Sequence, residues 1–428
     1  MTQPVNHRQF ARRRPVSLRR STIAALDIGT NKIACMIAEP SDEAVNGEKQ
    51  ISPGRIVGFG QHVSDGINAG QVTHMRAAED SIRAAVEAAE RMAGVEVRNV
   101  IIGLSIPQIE SHRFDTSVAL HGEPVSEEHM EHAMRTVFER FRSDDSEILH
   151  AIPVTYAIDQ SVGLSDPRGM YGHGLYVNQH MMRVPAGPVR NLLACVEQCH
   201  LECDKLVATP YAGALAVLMR DEIDLGAWHI DLGGGTSSIG VYHQGVPVFI
   251  AGIPVGGEHI TRDIARGLNV SMVVAERIKT LYGSALASPK GERDQFELPV
   301  LGGDHQTLPR SDLTKIIRPR LEEIYELLLS RVEASNAGHL TGGRIVLSGG
   351  GAQLSGAPEL AQTIFEKQVR VGQPIRMSGL PESAGGPAFA ACAGLLTYAA
   401  RSQHDIISGD DANSGALNRL RNWLRRNF

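Results

Sequence analysis

The chain has 428 residues, 42% of them hydrophobic and 5% aromatic, enough apolar surface for two or more packed units and too much for a chain disordered throughout. The formal charge of −6 is uneven: residues 1 to 20 carry six arginines and no acid, residues 412 to 428 carry four arginines and no acid, and setting those ten aside leaves the body at −16. An acidic body argues against a nucleic-acid partner and two basic ends point toward an anionic surface, while the lack of any run of eighteen uncharged apolar residues leaves no spanning helix and the arginine-rich start no signal peptide, so the expectation is a cytoplasmic protein.

Residues 1–21 are expected to be a basic, disordered tail. From Thr22 to Ala38 the chain reads as a strand, a tight turn and a second strand, the turn being Asp27-Ile28-Gly29-Thr30-Asn31-Lys32. A strand near Arg55 to Gly60 and an alanine-rich helix from about Met75 to Met92 complete a first lobe over 22–105. Residues 106–176 match neither this unit nor the later one and read as an inserted subdomain, with a helix at Ser126 to Arg140 whose N-cap is Ser126 followed by acids, and a strand at Ile148 to Ile158. The first lobe resumes over 177–210. Cys195, Cys199 and Cys203 recur there every four residues; without further ligands at metal spacing they read as core thiols, and an odd total of five cysteines suits a reducing compartment.

The first pattern then returns. The strand Ala227 to Ile230 leads into Asp231-Leu232-Gly233-Gly234-Gly235-Thr236, followed by strands at Ser238 to His243 and Val246 to Ile250, then Gly256, Gly257 and a helix from about His259 to Gly267. A repeat on this scale predicts two homologous lobes facing a cleft. The second lobe is placed at 211–260 and 341–400, with a mostly helical insertion at 261–340 broken at Ser284 to Arg310. A third turn, Ser348-Gly349-Gly350-Gly351-Ala352-Gln353, follows the strand Arg344 to Leu347 and precedes a helix at Pro358 to Phe365. After Tyr398 the pattern fades into a polar linker over 401–415, and residues 416–428 form a last helix. Its Leu417, Leu420, Leu424 and Phe428 fall within a stripe of roughly 80°, Trp423 flanks it, and Arg421 and Arg425 are placed to meet lipid headgroups.

Polyphosphate is held where several backbone N–H groups converge, and glycine lets the chain turn tightly enough to approach it. Gly29, Thr30, Asn31 and Lys32 form one such turn; Gly233, Gly234, Gly235 and Thr236 form another, with Gly256 nearby. Asp27 and Asp231 stand just before the two turns, where paired carboxylates would hold Mg²⁺ largely through its waters. Gly349, Gly350, Gly351 and Gln353 could lie against a base and sugar. Neither the P-loop nor the dinucleotide fingerprint is present.

These three turns, in this order, resemble the two phosphate motifs and the adenosine motif of the actin, chaperone and sugar-kinase superfamily. Ala208 to Ala214 and Pro387 to Gly394 resemble its two connecting helices. The resemblance implies a two-lobed actin-like (ribonuclease H-like) α/β fold, ATP and Mg²⁺ as cofactors, and Glu276 with Lys279 at the ribose and adenine. Within the superfamily, the first insertion, the stretch Ile148-Leu149-His150-Ala151-Ile152-Pro153 and the terminal helix resemble the bacterial actin-like cell division proteins. That family implies filaments of the chain itself on the inner face of the cytoplasmic membrane at the division site, attachment of the FtsZ ring through the FtsZ C-terminal tail, contact with anionic membrane lipids, and later division proteins recruited through the first insertion. Lys315, Arg318 and Arg320 are the expected contacts for the FtsZ tail. Thr209 and Ser238 stand where faster hydrolases of the superfamily carry acids, so turnover is expected to be slow at most. A pilus-assembly relative or a small-molecule kinase are the rival readings; the terminal helix speaks against both.

Overall fold

The structure is a computed structural model and describes residues 22–41, 52–287, 294–299, 305–335, 337–338, 342–375 and 377–401. Both basic ends, the linker and the terminal helix lie outside the described residues. Among the described residues no helix is long and apolar enough to cross a membrane.

The chain runs through β1 (Ile23–Ile28), β2 (Lys32–Ser41), β3 (Ser52–Val63), a two-residue ribbon β4 (Ile67–Asn68) with β5 (Gln71–Val72), α1 (Met75–Ala93) and β6 (Asn99–Leu104). The first insertion contributes β7 (Glu110–Ala119), α2 (Glu127–Phe141), β8 (Ser146–Ile158), β9 (Ser161–Leu164) and β10 (Gly174–Pro185). Lobe 1 closes with α3 (Ala186–Gln198) and β11 (Glu202–Ala208), and the chain crosses over on α4 (Thr209–Val217). Lobe 2 then runs through α5 (Arg220–Leu225), β12 (Ala227–Leu232), β13 (Ser237–His243), β14 (Val246–Ile253) and α6 (Gly257–Leu268). It continues with α7 (Met272–Tyr282), β15 (Gln295–Pro299), β16 (His305–Pro309), α8 (Arg310–Ser335), β17 (Arg344–Ser348), α9 (Ala357–Phe365), β18 (Gln368–Val371) and α10 (Ala390–Arg401).

The repeat expected from the sequence is a repeat of sheets. Lobe 1 has the order β11-β6-β1-β2-β3 and lobe 2 the order β14-β13-β12-β17-β18. Each centres on the strand that ends in aspartate and a glycine turn, pairs it antiparallel with the next strand, and pairs it parallel with a strand that returns through a helix. Apolar runs such as Ala24 to Leu26 are buried on both faces because helices cover both sides of the sheet. Cys195 on α3 and Cys199 at its C-cap direct their thiols at Met75 O (3.8 Å) and Glu79 O (3.4 Å) of α1. Burial pushes the Cys195 thiol up to about 12, so these side chains act as packing.

α4 and α10 cross between the lobes. Both are apolar around most of their circumference, as a helix buried on all sides must be. They approach so closely at Gly394 that a Cβ there would overlap the Ala212 carbonyl.

Two details differ from expectation. β10 pairs along its whole length with β7 and β8, so the inserted sheet runs to Pro185 and not to residue 176. The stretch from Ser284 to Arg310 contains an antiparallel hairpin, β15 with β16, buried through Phe296 and Leu298. The α2 cap is the expected one, Ser126 followed by Glu127 and Glu128, and His129 Nδ1 completes it by accepting from the Ser126 backbone N–H at 3.2 Å.

Candidate functional site

The first glycine turn joins β1 to β2 and is closed by Gly29 N–H donating to Lys32 O at 3.0 Å. The second joins β12 to β13, and Gly233 O and Gly234 O accept from the N–H groups of Gly257 and Glu258 at 2.9 and 2.8 Å. Those bonds fix the turn on the N-terminus of α6, where the helix dipole favours an anion. The two turns face one another across the lobes. A Cβ on Gly234 would overlap Asn31 Oδ1 and one on Gly235 would sit 2.5 Å from Thr30 Oγ1, so the two turns lie in contact and a side chain there would make Asn31 and Thr30 shift. Ser105, at the end of β6, shares a 2.7 Å hydrogen bond with Thr236 Oγ1 and ties the lobes together beside the turns.

Behind the turns stand Asp27 and Asp231. Asp27 is buried, and burial lifts its carboxyl above the usual range. Burial first, and the charge of Asp27 second, push Asp231 up to about 6. Lys32 lies between them and the connecting segment. Its ammonium donates to Ala388 O and sits 3.5 Å from the centre of the Phe389 ring, while burial lowers its pKa. One lysine facing two carboxylates, Asp27 buried and Asp231 half-buried, leaves net negative charge that a divalent cation would neutralise. Among the described residues no group of three His, Cys, Asp or Glu side chains could hold a metal. A cation here would therefore rest on these two carboxylates, with water and ligand oxygens completing its shell, which suits Mg²⁺.

The third turn reaches the same place. Gly349 adopts φ 83°, a left-handed conformation that favours glycine, and donates to Pro387 O at 2.9 Å. Ser348 Oγ lies 3.3 Å from Asp231 Oδ1 and 2.8 Å from His229 Nε2, and His229 Nδ1 donates to Pro210 O at 3.1 Å. This chain of contacts links the carboxylate to the first turn of α4. Beyond Gly350 an added Cβ would meet open space. Lys279 is not on a solvated helix face: its ammonium reaches Gly257 O (3.1 Å), Thr261 Oγ1 (2.7 Å) and Glu276 Oε2 (2.7 Å), directly beside the second turn. Gly256 caps α6 at that point. The structure thus gathers Asp27, Asp231, the three turns and the Glu276–Lys279 pair around one cleft.

Sequence reasoning missed Ser105 and His229 and quoted Ser348 only as the start of the third turn, without a role. Ser105 and His229 belong to no spacing pattern; only their position on strands beside the glycine turns would have drawn notice. Thr209 and Ser238 are also beside the turns. Thr209 Oγ1 donates to Leu104 O at 3.1 Å, and Ser238 is the register partner of Asp231. Lys315, Arg318 and Arg320 lie apart on α8, each against an acid of the chain's own surface: Asp312 (2.8 Å), Glu322 (2.7 Å) and Asp263 (2.6 Å), respectively. The residues assigned to membrane binding lie outside the described residues.

The raised pKa of Asp231 has a testable sign. A carboxyl whose folded pKa exceeds its unfolded value costs stability above the folded value, and the cost fades as the pH falls from about 6 toward the ordinary 3.8. Asp231→Asn should therefore raise the unfolding midpoint at pH 8 without nucleotide or Mg²⁺, by about 2 kcal/mol or a few degrees, and the gain should shrink toward pH 4. Thermal unfolding followed by circular dichroism at both pH values checks this. An Asn variant less stable at pH 8 contradicts it.

Comparison with known proteins places the arrangement. Residues 228–394 match the family model described as Cell division protein FtsA, and residues 107–183 match the model of the SHS2 domain inserted in FTSA. The chain is 37% identical over 440 residues to the cell division protein FtsA of Agrobacterium fabrum, covering 99% of each chain. Among solved structures it resembles the PilM-PilN type IV pilus biogenesis complex, with a TM-score of 0.62 at 20% identity over 88% of this chain and 98% of that one. It also resembles MreB5 of Spiroplasma citri bound to ADP, with a TM-score of 0.50 at 13% identity over 88% and 95% of the two chains. At these identities the two structures establish the actin-like fold and nothing finer.

Proposed function

Since the chain belongs to the FtsA family of cell division proteins, we propose that it binds ATP with Mg²⁺ in the cleft between its lobes, assembles into actin-like filaments on the inner face of the cytoplasmic membrane, and anchors the FtsZ ring at the division site. The observation that carries the nucleotide part is the meeting of two glycine turns on equivalent strands of two sheets, one backed by the buried Asp27 and the other by the half-buried Asp231. Bound there, Mg²⁺ would screen the phosphate charge. Asp27 and Asp231 orient its water shell, the backbone of Gly29 to Asn31 and of Gly233 to Thr236 receives the phosphate oxygens, Gly349 to Gly351 with Gln353 borders the base, and Glu276 with Lys279 borders the ribose.

Two hydroxyls, Thr209 and Ser238, occupy the positions where a base would accept a proton from the attacking water. A hydroxyl orients water but takes no proton near neutral pH, so the protein works as a nucleotide-dependent scaffold with slow turnover. The terminal helix, with its leucine stripe and four arginines, supplies the membrane contact; filaments present many copies and turn a modest affinity into stable attachment. Lys315, Arg318 and Arg320 on α8 form the surface offered to the FtsZ tail, whose acids would exchange with the ion pairs already there. Negative-stain microscopy of the full chain on anionic lipid monolayers tests the assembly claim. Filaments should form with Mg²⁺ and ATP and be absent without nucleotide; a nucleotide-independent layer, or none in either condition, would sink it.

A further inference from the structure

Apart from the nucleotide cleft, a groove of about 410 Å³ lies between the inserted subdomain, lobe 2 and the end of α8, a volume in the range of ligand sites. Two of its walls are β7 and β14, and each is the edge strand of its sheet. A hydrogen bond from Ile250 N–H to Ser111 Oγ at 3.0 Å joins them. The outer backbone of an edge strand lies outside its own ladder and is available to an extended segment. Ile109, Val248, Phe249 and Ala337 give the groove an apolar lining.

Its charge is unlike that of the rest of the molecule. The body between the basic ends carries −16, yet no lining residue is acidic, and Arg113 and Arg331 are exposed there, while His112 faces Glu110 at 3.9 Å. Neither Arg113 nor Arg331 is ion-paired with any described residue, whereas Lys315, Arg318 and Arg320 each hold an acid of the chain itself. An incoming carboxylate at the groove meets no acid of the lining; at α8 it must displace a resident acid. Exposed arginines without a local partner, flanking an apolar channel walled by sheet edges, match a ligand that is extended, acidic and partly apolar.

We propose that this groove binds an extended acidic peptide of a partner protein, its carboxylates meeting Arg113 and Arg331 and its apolar side chains lying against Ile109 and Phe249. The test is fluorescence anisotropy with a fluorescein-labelled octapeptide, Glu-Asp-Ile-Glu-Asp-Leu-Glu-Asp, titrated with the full chain. The wild type should bind with an affinity that weakens as salt rises. Arg113→Glu with Arg331→Glu should lower the affinity at least tenfold, and Arg113→Gln with Arg331→Gln should lower it by less. Arg83→Ala with Arg91→Ala, exposed arginines of α1 away from the groove, should leave it within twofold. Retained ATP binding and an unchanged unfolding midpoint certify that the variants are folded. The proposal is overturned if the wild type does not bind the peptide, if the charge reversal leaves affinity unchanged, or if the α1 variant loses as much as the charge reversal. Binding seen only with a chain ending at Arg401 would assign the groove to the chain's own acidic linker and likewise overturn the partner assignment.

Discussion

A chain ending at Gly415 should stay in the supernatant when centrifuged with anionic vesicles, while the full chain pellets with them and both bind ATP equally. The expectation follows from residues 416–428 alone. Placed on a helix, Leu417, Leu420, Leu424 and Phe428 would share one side, with Arg419, Arg425 and Arg426 away from it. Near an anionic leaflet each arginine contributes about 1 kcal/mol, and the apolar stripe contributes comparable amounts per side chain on insertion. Removing the helix removes all of this at once and leaves an acidic body that the same leaflet repels. The pelleted fraction should fall to its value without vesicles. Leu420→Glu with Leu424→Glu should reproduce the loss in a chain of full length. Persistent binding by the truncated chain would instead place the membrane contact on the body or the N-terminal arginines.

Gly394→Ala should destabilise the protein far more than its one added methyl group suggests. The new Cβ overlaps the carbonyl of Ala212, a backbone atom of α4 that no rotamer change can move aside. α4 and α10 must then separate, at a cost of about 3 kcal/mol, the upper end of overpacking penalties. Because these helices join the lobes, separating them also alters the spacing of the two glycine turns, and ATP affinity should fall along with the unfolding midpoint. Gly187→Ala is the control: it lies in α3, where an added Cβ meets nothing within 4 Å, and exchanging glycine for alanine in a helix should be neutral or stabilising by up to about 1 kcal/mol. If both substitutions behave alike, the crossing of α4 and α10 does not set the lobe geometry.

The residues differ in how much of this could be read from sequence, and for physical reasons. Asp27-Ile28-Gly29-Thr30 and Asp231 to Thr236 were legible because a strand ending in aspartate and a glycine turn is a local pattern, and its recurrence implied two sheets of equal order. The hairpin β15 with β16 was missed because five-residue strands give only two inward positions each, too few for a period to stand out. The end of the inserted sheet at Pro185 was misplaced because β10 passes without a turn signal from the insertion into α3, whose N-cap residue is that same proline. Glu276 with Lys279 was placed at the nucleotide by the resemblance alone, because their spacing is that of any helical ion pair; the fold sets Lys279 beside the second turn. Ser105 and Ser348 act through contacts made across more than a hundred residues of sequence, which no local reading registers.

The claim on which the account rests is that Asp27 and Asp231 hold Mg²⁺ for a nucleotide between the two turns. Isothermal titration of the full chain with ATP, with Mg²⁺ and with EDTA, on the wild type and on Asp231→Asn, addresses it directly. The account predicts binding that weakens at least tenfold without Mg²⁺ in the wild type, and in the Asn variant a weak affinity that Mg²⁺ no longer improves. Equal affinity of the two proteins with Mg²⁺ present, or no ATP binding by the wild type, would contradict it.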